Sequence, residues 1–139
     1  MKHIYLSGPI DQAKPEHLSF YEQLTDSLID CGYAVCNPYS ESKNLDFSDK
    51  NIAKIIYSQD VKAFKSADLF LCYVGFPSSG TGAELAMVIN NYKMDVIAYY
   101  EQGSKVSYFI KGMLESKKKK IIEISGLNEA GINELLEVI

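Results

Sequence analysis

The chain is poor in the residues from which many functional sites are built. Its 139 residues include only two histidines, His3 and His17. A histidine-built metal centre is therefore not expected, and nothing else points to a cofactor. The three cysteines, Cys31, Cys36 and Cys72, are odd in number and lack the close spacing of a thiolate metal site. They read as reduced thiols of a cytoplasmic protein. No apolar run approaches the length of a membrane span, and Met1–Leu6 meets Ser7-Gly8-Pro9 too soon for a signal-peptide core. Positive charge is outweighed by negative, to a net of −4, which argues against a nucleic-acid polymer as partner. The one basic block, Lys117–Lys120, reads as a solvated lip between a helix and a strand. A Walker loop, a G-x-G-x-x-G fingerprint and a Ser/His/Asp-type nucleophile pair are all missing.

What remains has the composition of a soluble globular protein, 47% apolar and 23% charged. The length suits one domain, residues 1–139, with a full core. Ile4–Gly8 is a short β-type run stopped by Gly-Pro. Pro15–Cys31 carries Leu18, Tyr21, Leu24, Leu28 and Ile29 at helical spacing, with Gly32 as the stop. Tyr33–Cys36 reads as a second strand ended by Asn37-Pro38. Ser40–Asn51 has no period and reads as a loop long enough to act over a site. Helix is expected from Ile52 to about Ser66, then a strand buried on both faces at Asp68–Val74. Further helices are expected at Thr81–Asn91, Ser104–Glu115 and Asn128–Val138, with strands at Asp95–Tyr100 and Lys120–Ile124. Strands alternating with helices imply right-handed crossovers and a three-layer, doubly wound α/β fold on five parallel strands, of the Rossmann or flavodoxin type. Ligands bind such sheets outside the carboxyl ends of the strands, which here are Tyr5–Pro9, Asn37–Tyr39 and Phe76–Glu84.

The stretch Pro77–Glu84, between a buried strand and a helix, is the centre of interest. Glu84 admits two readings. Thr81-Gly82-Ala83-Glu84 fits a capping box, in which Thr81 caps the helix and Glu84 reaches back to its amide. Alternatively Glu84 is a carboxylate kept ionised by the helix N-terminus and suited to nucleophilic attack. Asp60 alone is a solvent-facing acid of a helix, Asp68 a terminator of the helix–strand connection, Tyr5 a half-buried core phenol, and Ser78 and Ser79 plain turn residues. Together, two carboxylates beside a phenol and a Gly/Ser turn suit glycosidic cleavage. One acid attacks the anomeric carbon while the other protonates or orients the leaving group.

The order and spacing of Ile4-Tyr5-Leu6-Ser7-Gly8-Pro9-Ile10, Asp60 with Ala67-Asp68, and Ser78-x-Gly80-x-Gly82-x-Glu84-Leu85 resemble the nucleoside 2-deoxyribosyltransferase-like superfamily, from Ile4 to about Gly112. The resemblance implies a compact Rossmann-like enzyme that cleaves the N-glycosidic bond of 2′-deoxynucleosides or their 5′-monophosphates. It implies Glu84 as the nucleophile of a covalent deoxyribosyl intermediate, Tyr5 as the residue that orients it, and Asp60 as the residue that engages base or sugar and helps protonate the departing base. Gly8, Ile10, Ser78, Gly80 and Gly82 would contact substrate. The resemblance also implies a homodimer or larger homo-oligomer, with Ser107 and Tyr108 crossing to a neighbouring site. Transfer to a second base and hydrolysis by water both stay open. Ser78 matches the nucleotide hydrolases, whereas Asp11 stands where they carry an arginine. Two other readings are a nucleotide-binding or sensing module of the same fold, and a phosphoribohydrolase whose Pro-Gly-Gly turn Ser78-Ser79 does not match.

Overall fold

The computed structural model describes residues 1–139. Its elements run β1 (His3–Ser7), α1 (Pro15–Asp30), β2 (Ala34–Cys36), α2 (Pro38–Ser42), α3 (Ile52–Lys65), β3 (Leu69–Tyr73), α4 (Ser79–Asn91), β4 (Asp95–Glu101), α5 (Tyr108–Ser116), β5 (Lys120–Ile124) and α6 (Glu129–Leu136). All five strands are parallel and lie in the order β2-β1-β3-β4-β5. This is the α/β doubly wound sheet expected from the alternation of strands and helices. The order reverses between β1 and β3, and the crevice there is where such sheets take ligands.

Side-chain alternation along the strands builds two cores. Ile4, Leu6, Leu69, Leu71, Tyr73, Ile97 and Tyr99 face α1 and α6, packing on Phe20, Leu24, Leu28, Ile132 and Leu135. Tyr5, Phe70, Cys72, Val96 and Ala98 face the other way, against Phe64 of α3, Leu85 and Val88 of α4 and Leu114 of α5. A fully buried Leu or Phe contributes about 1.5–3 kcal/mol of transfer free energy, so these two layers hold the strand ends in place. Register is tied locally as well. The Asp68 carboxylate accepts from the His3 amide at 2.8 Å, and the Asp68 amide donates to the His3 carbonyl at 2.8 Å. Asp68 thus closes the helix–strand connection onto the start of β1.

Helix α1 stops as its Gly32 implies. Gly32 has φ +92°, and the amides of Gly32 and Tyr33 return to the carbonyls of Ile29 and Leu28. That is a left-handed Schellman stop, which a side chain at position 32 would strain. Elsewhere the expected boundaries move. Part of the expected Ser40–Asn51 loop is the short helix α2, capped by Asn37, whose side chain accepts from the Tyr39 amide. Helix α5 begins at Tyr108 rather than Ser104, because β4 runs on to Glu101 and a turn with Gly103 at φ +89° takes up the next residues. Helix α4 begins at Ser79 rather than Thr81, a shift that bears on the site. Lys118–Lys120 border a hollow with Lys2 and Asp95 near the amino ends of the strands, away from the β1/β3 crevice. No helix is long and apolar enough to cross a membrane.

Candidate active site

A cleft of about 250 Å³ opens at the carboxyl ends of β1 and β3. One wall is the segment Gly8–Gln12 that follows β1, and another is Ser78–Thr81 with Glu84 of α4. Pro38 and Ser42 of α2, with Leu45 and Phe47 of the loop behind it, close a third side, and Ile56, Gln59 and Asp60 of α3 complete it. The polar stretch after β2 therefore does lie over the cleft.

Glu84 sits in this cleft through a grip made by β1. Residues two apart on a strand share a face, so Tyr5 and Ser7 both point toward α4. The Tyr5 hydroxyl donates to Glu84 Oε2 at 2.7 Å, and the Ser7 hydroxyl donates to Oε1 at 3.2 Å. Tyr5 is fully buried, stacked on Phe70 at 5.5 Å between ring centroids and edge-on to Phe64 at 5.6 Å. The phenol is fixed on both sides before it reaches the carboxylate. Burial, together with the nearby charges of Glu84 and Asp60, holds its pKa far above the usual range, so it stays a proton donor in the bond.

The capping-box reading of Glu84 is corrected by this geometry. Ser78 is the cap of α4, its hydroxyl accepting from the Thr81 amide at 3.2 Å. Glu84 lies in the second turn, with no acidic residue in the first, and its carboxylate is turned to β1. A helix terminus acts over its first turn only, so it does not keep Glu84 ionised as the sequence suggested. Burial instead pushes the Glu84 carboxyl up to about 7, against the pull of the Tyr5 hydrogen bond, with the Asp60 charge adding to the rise and Ser7 opposing it. The glycine-rich turn is also helical: Gly80 and Gly82 belong to the first turns of α4, neither at positive φ.

Asp60 faces the same cleft from α3. Burial and the neighbouring Glu41 raise its carboxyl to about 6. Glu41, on α2, is held by two donors: Gln59 Nε2 to Oε2 at 3.1 Å, and Cys36 Sγ to Oε1 at 3.4 Å. Burial and then Glu41 push the Cys36 thiol up to about 12, so it serves as a donor rather than a thiolate. The cleft thus carries two carboxyls that titrate near neutrality, one gripped by hydroxyls and the other set beside a third acid.

Of the residues singled out in the sequence, Gly8, Ile10, Asp60, Ser78, Gly80 and Glu84 line this one cleft, and Tyr5 supports it from below. At Gly8 a Cβ would fall 2.5 Å from the Tyr21 hydroxyl, so the approach of α1 requires glycine there. Gly82 and Ser107 lie elsewhere. They line a second hollow of about 610 Å³ between α4 and the segment Lys105–Tyr108, which meets the cleft only at Ser78 and Thr81. Ser7 and Glu41 were not singled out by sequence reasoning. The two-residue step from Tyr5 signals the first, and the Asn37-Pro38 pair, a cap followed by a favoured first helical residue, signals the second. No three His, Cys, Asp or Glu side chains gather as a metal-binding group.

A family profile for nucleoside 2-deoxyribosyltransferase matches residues 4–127, which take in Tyr5, Asp60 and Glu84. The chain belongs to this family. A Thermofilum pendens protein named "Putative 2'-deoxynucleoside 5'-phosphate N-hydrolase 1" is 23% identical over 128 residues, 91% of this chain and 88% of that one. Among solved structures, the CMP N-glycosidase BcmB of Clostridium botulinum superposes with a TM-score of 0.72 at 20% identity, covering 99% of this chain and 100% of that one. The 2-deoxyribosyltransferase of Bacillus psychrosaccharolyticus gives 0.67 at 20% identity, covering 91% and 88%. These likenesses, at 20% identity each, show that the chain shares the fold of both proteins.

Proposed function

We propose that the protein is an N-glycosidase or deoxyribosyltransferase acting on a 2′-deoxynucleoside or its 5′-monophosphate, with Glu84 as nucleophile. The observation that carries this is the double grip of Tyr5 and Ser7 on a Glu84 carboxyl that opens onto the cleft opposite Asp60. Such hydroxyls stabilise the carboxylate while leaving its lone pairs free to attack. Glu84 attacks C1′ of the sugar, the C1′–N bond breaks, and its electron pair leaves with the base. Asp60, raised toward neutrality, supplies the proton that the base takes up. The resulting ester is then opened at C1′ by water or by a second base, with Asp60 accepting the incoming proton. Two displacements at one carbon retain configuration. Ser78, Gly80, Gly8 and Ile10 border the space for the sugar. Gly82 and Ser107 act from the adjoining hollow, and exposed Tyr108 and Phe109 support a homo-oligomer in which that hollow meets a neighbour. Three free thiols support a cytoplasmic setting.

The test is incubation of the purified protein with each 2′-deoxynucleoside and its 5′-monophosphate, with and without an acceptor base, following free base by chromatography. Base release without acceptor indicates hydrolysis, and exchange only with acceptor indicates transfer. Absence of both ends the proposal.

A further inference from the structure

The ionisable groups bordering the cleft are of one sign. Asp11, Asp60 and Glu84 line it, Glu41 stands behind Asp60, and no lysine borders it. The chain has no arginine to offer, since all 14 of its cations are lysines. Two lysines next to the lining segments are turned to other partners. Lys14 lies 6.0 Å from the centroid of the Phe76 ring, and Lys43 pairs with Glu22 at 2.9 Å. The one positive element is the start of α4. Of its first amides, that of Thr81 is taken by the Ser78 hydroxyl and that of Gly82 by the Ser78 carbonyl, leaving those of Ser79 and Gly80. A helix end is worth about half a positive charge. A phosphate monoester carries about two negative ones at neutral pH, and the exposed Asp11 adds another across the same cleft.

Resting on the glycosidase reading above, we propose that the substrate's 5′ end is a free hydroxyl, and that Asp11 selects against a 5′-phosphate. Asp11 repels the phosphate dianion and offers a carboxylate that accepts a hydrogen bond from a sugar hydroxyl. Ser78 and Gln12 beside it are neutral and suit a hydroxyl equally well. The relatives named for nucleotide substrates are then relatives whose named substrates this cleft does not suit.

The experiment compares kcat/KM for 2′-deoxyadenosine, 2′-deoxycytidine and thymidine with the values for their 5′-monophosphates, in wild type and Asp11→Asn, at low and high salt. The nucleosides are expected to be favoured about tenfold or more, and the preference is expected to shrink in high salt as the repulsion is screened. Asp11→Asn is expected to narrow the ratio by about tenfold, the effect of removing one unit charge near the phosphate. Equal or better turnover of the monophosphates, or a ratio that Asp11→Asn leaves unmoved, overturns the assignment while leaving the glycosidase reading intact. If wild type releases no base from any of them, the glycosidase reading fails. Calorimetric binding of the same compounds then decides the inference: tighter nucleoside binding upholds it, and tighter monophosphate binding, or none of either, overturns it.

Discussion

The Tyr5 hydroxyl and Glu84 Oε2 stand 2.7 Å apart although 79 positions separate them in the chain. Strand β1 and helix α4 meet there, at the sheet's reversal point. The bond joins a phenol fixed by aromatic packing to a carboxyl raised by burial, so each partner's protonation depends on the other. Removing the hydroxyl leaves Phe70 and Phe64 a ring of the same shape to pack on. Tyr5→Phe is therefore expected to fold with a nearly unchanged Tm. A hydrogen bond to a charged group is worth about 1.5–3 kcal/mol, so kcat/KM is expected to fall about 10- to 100-fold. Without that bond the Glu84 pKa rises, and the alkaline limb of the pH–rate profile, set by the higher of the two carboxyl values, moves to higher pH. Circular-dichroism melts with steady-state rates across pH check both expectations.

Glu84 is also a source of instability at alkaline pH. Its carboxyl ionises near 4.5 when exposed and at about 7 in the folded protein. Between those values the folded state holds a proton that the unfolded state has lost. The stabilising contribution is thus full below the unfolded pKa and is lost as pH rises through about 7. Glu84→Gln, neutral at every pH, is expected to gain about 1–2 kcal/mol over wild type at pH about 8 and little at pH about 4.5, while losing base release. Denaturant melts at the two pH values measure this. A capping role would give the opposite sign, a loss of about 1 kcal/mol.

The pair Asp60 and Glu84, at about 6 and about 7, is expected to give a bell-shaped profile of kcat/KM centred between those values. Glu41 raises Asp60 from α2. Glu41→Gln removes that charge; its carbonyl oxygen can still accept from Gln59, while its amide group, a donor, would face Cys36 Sγ, itself a weak acceptor. The acid limb of the bell is expected to move down by a few tenths of a unit to one unit, with Tm little changed. A profile that stays in place would assign the rise of Asp60 to burial alone.

Much of this was legible because it is local. The β-type run Ile4–Gly8 gives a strand, the near-continuous apolar run Asp68–Val74 gives one covered on both faces, and Gly32 marks the left-handed stop of α1. Placing Tyr5–Pro9 and Phe76–Glu84 at one sheet edge brings Tyr5 and Glu84 together, whereas Asp60, on α3, reads as a surface acid until the family resemblance joins it to them. What escaped was short or non-local. Helix α2 has five residues, too few to show a helical period, and its Glu41 therefore read as loop. Thr81–Glu84 matches a capping box by spacing, yet Ser78 starts the helix earlier and the carboxylate follows a partner in β1. Nothing within four residues of Glu84 encodes that choice. Gly82 was grouped with Gly80 as one turn, but a helix turns successive residues about 100° apart, and Gly82 faces the second hollow.

The central claim is that Glu84 attacks the sugar. The most direct measurement is acid quenching of the protein in the act of turning over a 2′-deoxynucleoside, followed by mass spectrometry of its peptides. The peptide that contains Glu84 is expected to carry one added deoxyribosyl group, lost in Glu84→Gln. An unmodified Glu84 peptide during turnover, or base release at the wild-type rate by Glu84→Gln, would contradict the claim.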